Sequence, residues 1–154
     1  MSITITKESP VGADLTLLFE RHTADMHADT PPESIHMMDS SQLAIPQVHF
    51  FVAREVGVPV AMGAFKTLSD HQGEIKSMHV LAEARGRGLS KTMLTHVETQ
   101  ARALGLTRLS LETGVQPMFV AARALYAKAG YALCGPFEGY TEDPNSLFMT
   151  KELL

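Results

Sequence analysis

Between residues 74 and 113 the apolar period of the chain changes twice, and this stretch most narrows the folds open to it. Glu74-Ile-Lys-Ser-Met-His-Val80 reads as a strand, and Leu81-Ala-Glu-Ala84 leads into the glycine-containing Arg85-Gly-Arg-Gly-Leu-Ser90. Over 88–104, Leu89, Met93, Leu94, Val97, Ala101 and Leu104 recur at helical spacing, and Lys91, Thr95, Glu98, Thr99 and Arg102 fall mainly on the other side. Gly105 is placed to stop that helix. Arg108 to Thr113 then alternates as a strand, with Leu109 and Leu111 on one face. Strand, helix and strand in this order predict a right-handed parallel crossover.

The remaining segments extend the pattern. A first strand at the N-terminus precedes a helix over about 11–28, and Pro31-Pro32 ends any helix arriving from that side. The stretch 25–46, rich in Asp, Ser, Pro and Met, reads as a loop with a short helix. His49-Phe-Phe-Val-Ala-Arg and Val58-Pro-Val-Ala-Met-Gly-Ala-Phe-Lys flank Glu55-Val56-Gly57, which predicts a hairpin. A second amphipathic helix spans about 117–129, and closing strands are expected over 131–133 and 146–153. The expected class is α+β, with a mixed sheet covered by helices on both faces.

A length of 154 residues fits one domain, 1–154, that buries roughly two-thirds of its surface without a disulfide or metal staple. The single cysteine excludes an intramolecular disulfide framework and agrees with a cytoplasmic location. The N-terminus lacks the apolar core of a signal peptide, and no apolar run approaches the roughly 20 residues that span a bilayer. A net charge of −4 and 13 scattered Lys and Arg argue against a nucleic-acid binder. Arg85, Arg87 and Lys91 leave a local site for a small polyanion open.

That site lies where the glycines meet the helix. The first N–H groups of a helix lack intrahelical partners and sit at the positive end of its dipole, which makes them an anion site. Gly86 and Gly88 keep side chains away from those amides, and Arg85 and Arg87 add forked donors. Two phosphate motifs fail here: a P-loop needs Gly where Ser90 stands, and the dinucleotide fingerprint needs Gly where Lys91 stands.

Arg85-Gly-Arg-Gly88-Leu-Ser90 resembles the Gln/Arg-x-x-Gly-x-Gly/Ala loop of the GNAT superfamily of acyl-CoA-dependent N-acyltransferases, with Ser at the last small position. Leu111-Glu-Thr-Gly114 and Ala122-Arg-Ala-Leu-Tyr-Ala-Lys-Ala-Gly-Tyr131 are similar to further blocks of that family, and the tail from Gly135 to Met149 resembles a bacterial subgroup of it. Phe119 departs from the pattern, where many members carry Asn. The resemblance covers residues 74–151; the first half agrees in element order only.

The resemblance implies a mostly antiparallel sheet of six to seven strands with one parallel cofactor-binding unit. It implies that acetyl-CoA binds as co-substrate, its pyrophosphate at Arg85, Gly86, Arg87, Gly88, Leu89 and Ser90 and its pantetheine arm along Met78, His79 and Val80. A primary amine on a small molecule or peptide would attack the thioester directly; a non-catalytic acyl-CoA sensor is the alternative. Glu74 matches a general-base position, and it reads equally as a structural partner of Lys76 on the same strand face. Tyr126 matches the family's general acid, since phenol and thiol have reference pKa values of about 10 and 8.5.

His79, five residues from Glu74, is expected on the opposite face of the strand, in a packing role. His22 and His27 are poorly spaced for a metal, and none is expected. Cys134 reads as a packed thiol rather than a nucleophile, and Met37-Met38 as part of an acceptor pocket. The apolar strand around Leu147-Phe-Met149 is open to pairing with a second copy in a homodimer.

Overall fold

The computed structural model describes residues 2–69 and 71–153; Met1, which opens the alternating N-terminal run, lies outside them. The strands are β1 (Ile3–Lys7), β2 (Val48–Glu55), β3 (Val58–Ser69), β4 (Gln72–Val80), β5 (Arg108–Gly114), β6 (Ala132–Cys134) and β7 (Ser146–Glu152). The helices are α1 (Thr16–Asp29), α2 (Ser40–Leu43), α3 (Leu89–Ala103) and α4 (Val120–Lys128). One seven-stranded sheet runs β1-β2-β3-β4-β5-β7-β6. Every neighbouring pair is antiparallel except β4 and β5, which α3 joins as a parallel crossover.

Both faces of the sheet are covered, which is why β2 and β3 read as continuous apolar runs. Phe51, Phe65, Ile75, Leu109 and Leu111 pack with Met93, Leu94 and Val97 of α3. Phe50, Val52, Met62 and Ala64 pack on the other face with Leu15, Leu18 and Leu43. Val56 and Gly57 turn the β2–β3 hairpin, both at positive φ (50° and 80°), the pairing a tight two-residue turn requires.

Four side chains differ from the sequence expectation. Leu104 is 54% exposed because the helix has ended by that point. Glu98, expected on the solvent side of α3, is buried and accepts from the Tyr131 hydroxyl (2.8 Å) and Lys151 Nζ (3.0 Å). Cys134 is exposed on the short edge strand β6 rather than packed. β7 is flanked by β5 and β6, so Leu147–Met149 is not a free edge for a second copy.

The fourth is His79, and its cause is a bulge in β4. Met62 pairs with His79 but Ala64 with Lys76, so two steps along β3 match three along β4. The additional residue is accommodated at Ser77, whose φ is 55°. Met78 therefore faces α3, where its sulfur lies close under Gly63, while His79 faces α1 and contacts His22 edge-on at 5.2 Å. His79 thus shares a face with Glu74 and Lys76. Among the described residues no helix is long and apolar enough to cross a membrane.

Candidate active site

The parallel pair β4–β5 holds together over only three residue pairs, Gln72 with Arg108, Gly73 with Leu109 and Glu74 with Ser110. Both strands continue, to Val80 and Gly114, without pairing to each other. They therefore splay, and two cavities open in the wedge.

The larger, a groove of about 480 Å³, runs from the start of α3 to α4. Gly86, Gly88, Leu89 and Ser90 line one end, Met78, His79 and Val80 the flank, and Tyr126 the far end. Gly86 and Gly88 have φ of 81° and 75°, in the left-handed region. A Cβ at either would meet nothing within 4 Å, so backbone conformation, rather than crowding within the protein, is what selects glycine there. Gly88 caps α3 without any side-chain hydrogen bond, which leaves the first amides of the helix available to an anion. Arg85 lines the groove and is held by bonds from its Nε to the Val80 carbonyl (3.0 Å) and from Nη2 to Asp25 (3.1 Å). Arg87 is not among the lining residues: its guanidinium forks onto Glu55 at 2.7 and 3.1 Å, away from the expected phosphate position.

The smaller cavity, a cleft of about 120 Å³, contains the ionisable groups. Glu74 is only 3% exposed, and its Oε2 accepts from Lys76 Nζ (3.0 Å) and from the Tyr140 hydroxyl (2.6 Å). Lys76 also donates to the Tyr140 oxygen at 2.8 Å. The ion-pair reading of Glu74 and Lys76 thus has its geometry, completed by a tyrosine 66 positions away in the chain. Burial and the adjacent Glu74 carboxylate keep the Tyr140 hydroxyl protonated, its pKa raised. Glu112 of β5 and Met37 also line the cleft, and burial raises the Glu112 pKa.

The groove and the cleft share His22, Met26, Met78, Phe119, Ala122 and Tyr126, so they meet beside Tyr126. Burial raises the Tyr126 pKa, which moves the phenol away from the thiol value instead of matching it. A buried phenol of this kind donates a hydrogen bond to a thiolate more readily than it surrenders its proton. Burial also lowers the His22 pKa to about 4 and lowers that of His79, so both imidazoles are neutral near pH 7. His79 Nε2 is buried with no partner among the described residues. Also among the described residues, no group of three His, Cys, Asp or Glu is arranged to hold a metal ion.

A family model described as the acetyltransferase (GNAT) family matches residues 16–131. The chain belongs to the GNAT acetyltransferase family. It is 42% identical over 142 residues to the uncharacterized N-acetyltransferase YsnE of Bacillus subtilis (strain 168), covering 92% of this chain and 94% of that one. It is also 42% identical over 157 residues to the IAA acetyltransferase of Azospirillum brasilense, covering 99% of each. In fold it is similar to the PaiA N-acetyltransferase of Thermoplasma acidophilum, solved in complex with coenzyme A: TM-score 0.78, 17% identity, 99% of each chain covered.

Within this GNAT chain the structure brings Glu74, Met78, His79, Val80, Arg85, Gly86, Gly88, Leu89, Ser90 and Tyr126 to two cavities that meet; Arg87 does not line them, its guanidinium being held by Glu55. Three lining residues escaped the sequence reading. His22 was weighed only as a metal ligand and Tyr140 was given no role. Glu112 stands in the sequence only within Leu111-Glu-Thr-Gly114, although alternation from Ser110, the partner of Glu74, sets it on the Glu74 face.

Proposed function

We propose that the protein is an acetyl-CoA-dependent N-acetyltransferase that transfers the acetyl group to a primary amine by direct attack within a ternary complex. The observation that carries this reading is the meeting of the two cavities beside Tyr126. The groove suits a long anionic thioester: free helix amides and Arg85 for the phosphates at one end, and an unpaired β4 edge for an amide-bearing arm along the flank. The cleft offers the acceptor a separate entrance.

The chain's residues divide the work. The α3 amides and Arg85 hold the phosphates, and the splayed edge of β4 orients the arm so that the thioester lies between Met78 and Tyr126. An amine entering through the cleft forms its C–N bond at the thioester carbon, the C–S bond breaks, and the Tyr126 hydroxyl stabilises the departing thiolate by hydrogen bonding. Cys134, exposed on β6, lies outside this machinery.

Calorimetry with acetyl-CoA, followed by thiol release with a panel of primary amines, tests the reading. Binding with amine-dependent thiol release and no acetyl adduct on Cys134 by mass spectrometry is expected, and Cys134→Ser should keep the rate. Binding without release for any amine would assign the protein as an acyl-CoA sensor instead. A stoichiometric Cys134 adduct would replace direct attack with a two-step route.

A further inference from the structure

The charges around the cleft do not cancel, and the residue left over is Glu112. Glu74 is matched by Lys76 at 3.0 Å, and Tyr140 closes that pair from the loop before β7. Glu112 lies past the last β4–β5 pair, on the same face, and has no salt bridge among the described residues. The groups facing it are the Ser146 hydroxyl at the start of β7, His36 from the segment before α2, Lys76 and Glu74 from β4, and Tyr140. The same cleft carries apolar lining from Met26, Met37, Leu111 and Phe119. A half-buried carboxylate without a salt bridge, lining a cleft that also carries apolar side chains and joins the groove, is complementary to an ammonium on an apolar body.

We propose that Glu112 is the acceptor-binding carboxylate and general base of this enzyme, and that the acceptor is a primary ammonium carried on an apolar or aromatic body. The inference rests on the N-acetyltransferase reading and deepens it. Glu112 takes one proton from the ammonium, leaving a neutral amine whose lone pair forms the C–N bond. The second nitrogen proton passes to the sulfur as the C–S bond breaks, giving amide and thiol. The proton on Glu112 then leaves to solvent, so the net products are amide, free thiol and one proton. Burial raises the Glu112 pKa, which makes it a stronger base than an exposed carboxylate while a bound ammonium favours its ionised form. Glu74, already occupied by Lys76 and Tyr140, positions the cleft wall.

The probes are acetyl-CoA with 2-phenylethylamine, and 2-phenylethanol as the neutral counterpart. Wild-type protein loaded with coenzyme A should bind the amine and not the alcohol, and should release thiol with the amine. Glu112→Gln should lower kcat/KM by about 10²–10³-fold, the range of a lost general base. It should remove the acid limb of the pH profile and leave acetyl-CoA affinity within twofold. Glu112→Asp should restore part of the rate, and Glu74→Gln should keep the acid limb. A wild-type profile in folded Glu112→Gln would overturn the assignment, as would equal binding of amine and alcohol, or no binding of the amine. If acetyl-CoA itself failed to bind, or no amine of any class were acetylated, the N-acetyltransferase reading would fall instead.

Discussion

At the α3 end of the groove the groups offered to a ligand are backbone amides held by two left-handed glycines. At the far end of the cleft they are side chains drawn from β4, β5, the segment before α2 and the loop before β7. The first kind of site keeps its polarity at any pH and depends on few side chains. The second is tuned by burial and by who pairs with whom, so single substitutions change its charge. On the proposed function the chain thus joins a fixed handle for the thioester to an adjustable receptor for the acceptor.

The sharpest way to break that contrast is at Gly88. Gly88→Asp places a carboxylate at the helix N-terminus where phosphate charge should sit, and acetyl-CoA affinity should fall on the order of 10²-fold, the size of a lost charge-assisted bond. Gly88→Asn tolerates the same left-handed backbone and should stay within several-fold. Wild-type affinity in a folded Gly88→Asp protein, measured by calorimetry, would move the phosphate site elsewhere.

At the other end, Glu74→Gln should leave acetyl-CoA affinity alone and act on stability. It strands a Lys76 ammonium whose side chain is 12% exposed. Breaking a buried pair costs about 3 kcal/mol, or roughly 6–12 °C in Tm for a domain of this size. Unchanged Tm with a lost acid limb in the rate profile would return the base role to Glu74.

The junction gives the smallest effect. His22 titrates near pH 4 when folded against 6.5 when free, with His79 and Asp25 as its charged or titratable neighbours. Below pH 6.5 the unfolded chain takes up a proton that the folded one refuses, so stability falls with pH until about pH 4. Between pH 7 and 5.5 the loss should be about 1 kcal/mol, and His22→Gln should flatten that part of the curve. Denaturant melts at both pH values read the difference; an equal slope in the variant would show that His22 is not the group titrating.

The strand, glycine turn and helix at the start of α3 were legible in the sequence because their signals are local: strand, two glycines, an apolar stripe. Tyr126 came from a block of similar local character. The receptor was not, since Tyr140 reaches Glu74 across 66 positions and no spacing rule links them. Arg87 reads as a phosphate ligand until Glu55, 32 positions away, claims its guanidinium. The acceptor-side wall from Met26 and Met37 depends on how a Pro-rich segment folds back, which composition does not specify.

The bulge at Ser77 bears on how relatives of this chain are compared. A strand counts in twos, and one inserted residue changes its parity. Before Ser77 the even-numbered positions of β4 look toward α1; after it the odd-numbered ones do. A column-by-column comparison that gaps this position wrongly would pair an α1-facing side chain with an α3-facing one while scoring every neighbour correctly. Straightening the bulge with Ser77 retained would turn His79 toward α3 and Met78 toward α1, whereas deleting Ser77 would leave both facing as they do, because the alternation Lys76, Met78, His79 is then already regular.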